Sequence, residues 1–126
     1  MKKLILIIED DEIIRSIIFE FLELENFNVI SAEDGCQGLT LAEELQPDLI
    51  ICDINMPNAN GYTVLQKIRE NVATTKIPFI FLSSETTQYS RNRARLLGAN
   101  DYLSKPVKIN QLLEAITNQF QQLHTA

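Results

Sequence analysis

Four stretches of this sequence place a polar side chain directly after a run of strand-forming residues. Glu9 and Asp10 follow LILII, Asp53 follows LIIC, Ser83 follows FIFL, and Lys105 follows DYLS. Carboxylate oxygens are preferred ligands of Mg²⁺, and a carboxylate held beside cations can attack a phosphoryl group as a nucleophile. The three carboxylates balance one magnesium ion and one ammonium in formal charge. These residue types therefore indicate a magnesium-dependent site for phosphoryl chemistry, centred on Asp53.

For these residues to meet, the strands before them must end at one edge of a sheet. Strand-like segments alternate with helix-like segments along the chain. The strand-like segments are 3–8, 27–31, one that ends at residue 53, 79–82 and 101–104, and the helix-like segments are 12–25, 34–45, 62–72, 86–97 and 109–122. Such alternation predicts parallel strands with right-handed crossovers and helices on both faces. We expect one doubly wound α/β domain over residues 1–126, with its site at the carboxyl ends of the strands.

The helix-like segments repeat apolar residues at spacings of three and four, which predicts one buried stripe in each helix. The stripe of the first helix is expected to contain Ile13, Ile14, Ile17, Ile18, Phe21 and Leu22. Those of the next two are expected to contain Leu39, Leu41, Ala42 and Leu45, and then Val64, Leu65, Ile68 and Val72. Gly98 is expected to end the fourth helix.

Composition excludes several classes of protein. The chain of 126 residues is 45% hydrophobic, which is typical of a folded domain with a core, and its formal net charge of −6 argues against direct nucleic-acid binding. No stretch approaches the roughly 18 apolar residues of a membrane span, and the short apolar run near the start lacks a signal-peptide cleavage site. Cys36 and Cys52 form no metal or disulfide pattern. We therefore expect a cytoplasmic protein with free thiols.

Each polar residue also has an ordinary structural interpretation. The acidic run from Glu9 to Glu12 could cap a helix, Ser83 could cap the helix after it, and Lys105 could be a surface lysine. Tyr102 in a short strand could serve packing alone. The acid at position 53 is the least ordinary, because it directly follows a strand buried on both faces. Taken together, the convergence of Glu9, Asp10, Asp53, Ser83 and Lys105 on one sheet edge favours a functional site.

The motifs LILIIEDDEIIR, PDLIICDINMPNANG, IPFIFLSSE and GANDYLSKPV occur in this order along the chain. Together they resemble the receiver domains of response regulators in two-component signalling, and the resemblance covers essentially the whole sequence. It implies a flavodoxin-like (βα)5 fold with strand order 2-1-3-4-5. Because 126 residues leave no room for an output domain beside the receiver, we expect either a stand-alone receiver or a piece of a longer protein, and the first fits the sequence better.

The resemblance implies a role for each residue of the predicted site. Asp53 is expected to accept a phosphoryl group from a histidine kinase or a histidine phosphotransfer protein. Glu9, Asp10, Asp53 and the backbone carbonyl of Asn55 are expected to hold Mg²⁺, and Lys105 to bind the phosphoryl group. Glu9 stands where aspartate is commoner in the family, which keeps the carboxylate on a longer arm.

The resemblance also implies residues that change conformation on phosphorylation and residues that set the lifetime of the phosphate. Ser83, where threonine is commoner, and Tyr102 match the two switch positions, while Asn55 and Glu85 match positions that tune self-dephosphorylation. The bond between Lys105 and Pro106 is expected to be cis. A downstream target protein is expected to bind residues 86–122, and the same surface would serve a homodimer if one forms.

Three other functions share parts of this pattern. A phosphorylation-independent receiver-like adaptor would keep the fold but leave the complete site unexplained. A flavodoxin-like carrier of FMN would need a glycine- and hydroxyl-rich phosphate loop, whereas four consecutive acids follow the first strand here. A phosphatase with an aspartyl-phosphate intermediate would need a substrate loop or cap for which this chain has little room. We therefore predict a signalling domain rather than an enzyme.

Overall fold

A computed structural model describes residues 2–85 and 87–125, with the side chains of residues 123–125 outside the description. Five strands alternate with five helices, as predicted. In chain order these are β1 (Leu4–Ile8), α1 (Glu12–Leu24), β2 (Asn28–Ala32), α2 (Gly35–Leu45), β3 (Leu49–Asp53), α3 (Gly61–Glu70), β4 (Phe79–Ser83), α4 (Gln88–Leu97), β5 (Asp101–Ser104) and α5 (Ile109–Thr125). Thr86, the predicted first residue of the fourth helix, lies outside the described residues.

The five strands form one sheet in the order β2-β1-β3-β4-β5, and all neighbouring strands run parallel. This confirms the predicted doubly wound, flavodoxin-like α/β fold. The strand order places β1 and β3 side by side at the centre, where the direction of winding reverses. In open α/β sheets, ligands bind outside the carboxyl ends of the strands at this reversal.

The core lies in two layers, because successive side chains of a strand point to opposite faces of the sheet. On one face, Leu6 and Ile50 pack with side chains of α2 and α3 such as Ala42 and Leu65. On the other face, Ile7, Ile51, Leu112 and the α1 residues Ile18 and Leu22 form a second cluster. Both faces of β3 and β4 are therefore covered, and every residue of these two strands is buried.

Four predicted core residues are exposed, and those predictions are wrong. Ile13 is 72% exposed and Ile17 is also largely exposed, because a helix packed on a sheet buries only the stripe that faces the sheet, which here centres on Ile18 and Leu22. Leu45 is exposed because it is the last residue of α2, before the chain turns at Gln46 with a φ of 44°. Val72 is 91% exposed because α3 already ends at Glu70, so helical spacing no longer applies to it.

The capping residues of the helices explain one acid of the run from Glu9 to Glu12 and show that Ser83 does not cap α4. Asp11 caps α1 by accepting hydrogen bonds from the backbone N–H groups of Ile13 and Ile14, so capping accounts for one acid of the run. The cap of α4 is Thr87 rather than Ser83, which leaves the Ser83 hydroxyl available for other contacts. Gly98 ends α4 with a φ of 108°, as predicted. No helix within the described part of the chain is long and apolar enough to cross a membrane.

Candidate functional site

The predicted site residues lie at the carboxyl edge of the sheet, at the ends of four neighbouring strands. Glu9 directly follows β1, Asp53 and Ser83 end β3 and β4, and Lys105 directly follows β5. The strand register aligns these ends, since Asp53 pairs with Leu82 and Ser83 pairs with Ser104. The parallel sheet therefore delivers carboxylates, a hydroxyl and an ammonium to the same edge.

Three carboxylates form a compact cluster at this edge. Glu9, Asp10 and Asp53 each offer one oxygen, and these three oxygens lie within 4.8 Å of one another. Glu9 is 1% exposed and Asp53 is 5% exposed, whereas Asp10 lies at the surface. Carboxylates held this closely repel one another unless a cation lies among them.

Lys105 supplies one positive charge to the cluster. Its Nζ lies 2.8 Å from Oε1 of Glu9 and 3.2 Å from Oδ2 of Asp53. The Lys105 side chain keeps some contact with solvent while both carboxylates are nearly buried. The peptide bond between Lys105 and Pro106 is cis, as the resemblance implied. The lysine therefore bridges the acids at the ends of β1 and β3.

Burial sets the electrostatics of the cluster. Burial raises the pKa of Glu9 to about 7, although hydrogen bonds from Lys105 and from the backbone of Asp11 oppose the rise. Burial also raises the pKa of Asp53, against the lowering effect of the Lys105 charge. For Lys105, burial lowers the pKa, but the hydrogen bond to Glu9 and the charge of Asp53 outweigh it, so the pKa is raised. Lys105 therefore stays protonated, but its single charge does not offset the effect of burial on the two acids.

The donor set fits a small divalent cation. Oε1 of Glu9 is buried, and apart from the Lys105 ammonium no hydrogen-bond partner satisfies it in the described part of the chain. Magnesium takes oxygen ligands and keeps several waters, so a partly open cluster of carboxylates suits it. Asp10 opens the cluster toward solvent, where such waters would lie. The three carboxylates could therefore hold a metal ion.

Gly61 is a residue of this site that was not identified from the sequence. Its N–H donates a 2.7 Å hydrogen bond to the carbonyl of Ile54, which folds the loop after Asp53 back onto the start of α3. A Cβ at position 61 would lie 2.5 Å from the Asp53 carbonyl oxygen and 2.8 Å from Cε1 of Phe81. Only glycine permits this approach. A glycine that begins a helix, rather than ending it, was the available signal in the sequence.

The same loop contains Asn55, which directly follows Ile54. Its side chain is exposed, as is that of Glu85 after β4. Both predicted tuning residues therefore lie at the solvent side of the carboxyl edge.

Glu85 joins the two predicted switch residues. Its N–H donates a 3.0 Å hydrogen bond to Oγ of Ser83, and its carbonyl oxygen accepts a 2.7 Å hydrogen bond from the Tyr102 hydroxyl. The Glu85 carboxylate also accepts a 2.9 Å hydrogen bond from Oγ of Ser90, at the start of α4. Ser83 and Tyr102 are both buried. This connection through one backbone unit had no signal in the sequence.

Comparison with known proteins identifies the family to which this arrangement belongs. The family model described as the response regulator receiver domain matches residues 5–117, from β1 into α5. The chain belongs to the response regulator receiver domain family. The match covers all the predicted site residues. The receiver-domain assignment made from the four motifs is therefore confirmed.

Individual relatives agree with this assignment. The chain is 40% identical to the probable transcriptional regulator ycf29 of Pyropia yezoensis over 114 residues, which cover 90% of this chain and 51% of that protein. It is 37% identical over 112 residues to the DNA-binding dual master transcriptional regulator RpaA of Synechocystis sp., covering 89% of this chain and 46% of that protein. The chain thus spans about half the length of these relatives.

The fold also matches solved receiver structures. A CheY-like response regulator receiver domain protein from Methanospirillum hungatei superposes with a TM-score of 0.92 at 26% sequence identity, covering 99% of this chain and 98% of that one. The close match over nearly the full length of both chains confirms the receiver fold. As a receiver domain, the chain is a component of phosphorelay signalling.

Proposed function

We propose that this receiver accepts a phosphoryl group on Asp53 from a phosphohistidine of a histidine kinase or a histidine phosphotransfer protein. The observation that supports this most strongly is the position of Asp53. It is a nearly buried carboxylate at the end of a central strand, beside two further carboxylates and 3.2 Å from the Lys105 ammonium. A buried acid in this setting is poorly explained by packing alone.

The transfer is a substitution at phosphorus. A carboxylate oxygen of Asp53 forms the new bond to phosphorus while the bond from phosphorus to the donor imidazole nitrogen breaks. The electron pair of that bond remains on the imidazole, which takes up a proton, and Asp53 becomes an acyl phosphate. The Lys105 ammonium, already within contact of Oδ2 of Asp53, stabilises the charge on the phosphoryl oxygens.

Glu9, Asp10, Asp53 and the backbone carbonyl of Asn55 would hold Mg²⁺. When bound, the ion supplies positive charge that offsets the repulsion between Asp53 and the incoming phosphoryl oxygens. The buried Oε1 of Glu9 and the close approach of the three carboxylates support this assignment. Glu9 must lose its proton to act as a ligand, and its raised pKa makes this step sensitive to pH.

Ser83 and Tyr102 would change position in response to the new charge on Asp53, and this movement would alter the surface. The Ser83 hydroxyl can donate a hydrogen bond to a phosphoryl oxygen. At present it accepts a hydrogen bond from the N–H of Glu85, whose carbonyl accepts one from the Tyr102 hydroxyl. The exposed side chains of Asn55 and Glu85 would tune the rate at which water removes the phosphoryl group. The domain would thus assist its own phosphorylation and dephosphorylation.

The output is a change in protein contacts. A downstream target would bind the surface formed by residues 86–122, which contains α4, β5 and most of α5, and a homodimer would use the same surface. The formal net charge of −6 over the whole chain favours protein partners over nucleic acid. A cytoplasmic location is consistent with a histidine kinase as the phosphoryl donor.

Intact-mass spectrometry after incubation with acetyl phosphate tests the proposal. We expect the mass of one phosphoryl group to be added in the presence of Mg²⁺ and not in EDTA. The variant Asp53→Asn should remain unlabelled, while the matched variant Asp101→Asn, at the start of β5, should label like the unmodified protein. Full labelling of Asp53→Asn would overturn the assignment.

A further inference from the structure

Arg91 of α4 holds the face and the backbone of Tyr102. Its guanidinium carbon lies 5.0 Å from the centroid of the Tyr102 ring. Nη1 donates a 3.2 Å hydrogen bond to the Tyr102 carbonyl, and Nη2 donates a 2.9 Å hydrogen bond to Oγ of Ser104. Tyr102 and Ser104 are two residues apart on β5, so they share one face of the sheet. A single arginine therefore ties α4 to the edge strand at two points.

The other parts of the Tyr102 side chain are held by β4 and the loop after it. The hydroxyl donates to the Glu85 carbonyl at 2.7 Å, and the ring lies edge to face with Phe81 at a centroid distance of 6.3 Å. The Arg91 guanidinium lies over the same ring. Tyr102 is only 8% exposed in this arrangement, although it lies on the edge strand of the sheet.

We propose that Arg91 is a positioning residue that stabilises the buried position of Tyr102 and so controls how readily this side chain moves. The proposal concerns the regulation of the site and rests on the proposed function of Tyr102 as a switch. A guanidinium is suited to this task because its planar fork can donate two hydrogen bonds while its face lies on an aromatic ring. Ser104 pairs with Ser83 across the sheet, so Arg91 also holds the strand beside the second switch residue.

The neighbouring arginines of α4 make different contacts and provide matched controls. Arg93 lies over the ring of Tyr62, with its guanidinium carbon 4.0 Å from the centroid. Arg95 donates a hydrogen bond to the side chain of Asn92 within the same helix. Substitution of Arg95 therefore removes an equal charge from α4 without removing a contact to Tyr102.

The position of Tyr102 can be measured by ¹⁹F NMR of protein labelled with 3-fluorotyrosine. The chain contains three tyrosines, at positions 62, 89 and 102, and their signals can be assigned with Tyr→Phe variants. Tyr89 is 75% exposed and supplies the reference for a solvated ring, while Tyr62 supplies the reference for a buried one. The solvent-isotope shift between H₂O and D₂O reports the exposure of each ring directly.

In the unphosphorylated protein, Arg91→Ala should move the Tyr102 signal and its isotope shift toward the values of Tyr89. Arg91→Lys should restore the buried values in part, because an ammonium can remain over the ring but cannot form the double hydrogen bond. Arg95→Ala should leave Tyr102 unchanged. Tyr102 values in Arg91→Ala equal to those of the unmodified protein would overturn the proposal, as would an equal change in Arg95→Ala.

Labelling by acetyl phosphate separates this proposal from the proposed function. Arg91 lies outside the carboxylate cluster, so Arg91→Ala should still gain one phosphoryl group on Asp53. If the unmodified protein fails to label while Tyr102 responds to Arg91→Ala, the phosphoacceptor assignment fails and the positioning role of Arg91 stands. If labelling succeeds and Tyr102 does not respond to Arg91→Ala, the phosphoacceptor assignment stands and the positioning role of Arg91 fails.

Discussion

The ammonium of Lys105 lies closer to Glu9 than to Asp53, at 2.8 Å from Oε1 of Glu9 against 3.2 Å from Oδ2 of Asp53. The lysine therefore forms an ion pair with the buried acid that follows β1 as well as with the proposed phosphoacceptor. Glu9 depends on this contact, because its Oε1 has no other polar partner among the residues that the structure describes. The charge state of Glu9 thus influences both the stability of the domain and its affinity for a cation.

Metal-free protein should lose stability as the pH rises toward and through neutrality. Burial raises the pKa of Glu9 from 4.5 to about 7, so between these values the folded state binds a proton that the unfolded state has released. The stabilisation is complete below the unfolded pKa and disappears above the folded one, and the raised pKa of Asp53 acts in the same direction. We expect a loss on the order of 2–3 kcal/mol, since one pKa unit corresponds to about 1.4 kcal/mol.

Urea unfolding in EDTA at a series of pH values between about 5 and 8 measures this effect. Glu9→Gln should flatten the dependence, because glutamine stays neutral throughout the range. A free energy of unfolding that does not fall across this range in the unmodified protein would contradict the assigned electrostatics.

Magnesium binding should require the acidic cluster. Glu9→Gln and Asp10→Asn each remove one negative ligand, and we expect each to weaken Mg²⁺ binding at least about tenfold, which corresponds to about 1.4 kcal/mol. Asp11→Asn is the matched control, since Asp11 caps α1 and asparagine caps a helix equally well. Isothermal titration calorimetry should show weaker Mg²⁺ binding in both cluster variants and unchanged binding in the control. Unchanged affinity in both cluster variants would remove these two residues from the metal site.

Gly61→Ala should destabilise the domain by about 1–3 kcal/mol, the usual cost of forcing an extra methyl group into a packed site. The new Cβ would meet the Asp53 carbonyl at 2.5 Å, and this backbone cannot move without disturbing the site. Gly38→Ala provides a comparison, because its Cβ would meet side-chain rather than backbone atoms, the nearest being Cδ1 of Ile8 at 2.5 Å. Thermal unfolding should rank Gly61→Ala as the more damaging change. The opposite ranking would count against a rigid loop after Asp53.

Arg69 should be essential for stability although it lies at the opposite end of α3 from the site. It donates hydrogen bonds to the carbonyls of Thr75, Ile77 and Gly98 and to the side chain of Asn100, and burial lowers its pKa. Arg69→Ala leaves these partly buried acceptors unpaired, for an expected cost of about 2–4 kcal/mol.

Arg69→Lys should recover little of this loss, since an ammonium cannot reach four acceptors in the geometry of a guanidinium. The exposed Arg95, whose substitution should change stability by less than about 0.5 kcal/mol, is the control for urea unfolding. Equal effects of Arg69→Ala and Arg95→Ala would show that the Arg69 contacts contribute no net stability.

The sequence was sufficient to predict the sheet and the residues at its carboxyl edge. Runs such as LIIC before Asp53 identify buried strands, and the alternation of strands with helices leaves few ways to order them. The position of Asp53 beside Glu9 follows from that order, because β1 and β3 are neighbours. The role of each residue required the family resemblance as well, since the same side chains also serve as caps and surface charges.

The sequence could not predict contacts that join distant parts of the chain. Spacing alone gave no reason to separate the exposed Ile13 from the buried Ile18, because both fit a helical stripe and only the width of the contact with the sheet distinguishes them. The contact of Arg91 with Tyr102 depends on how α4 lies on β5. Arginine on an exposed helix is ordinary, so its type carries no signal of such a role.

The position of the phosphoryl group on the chain tests the central proposal most directly. Protein incubated with acetyl phosphate and Mg²⁺ can be reduced with borohydride, which converts an aspartyl phosphate to homoserine, and then mapped by tandem mass spectrometry of its peptides. We predict homoserine at position 53 alone, and none after incubation in EDTA. Homoserine at position 10 instead, or no reduced residue under either condition, would contradict the assignment of Asp53 as the phosphoacceptor.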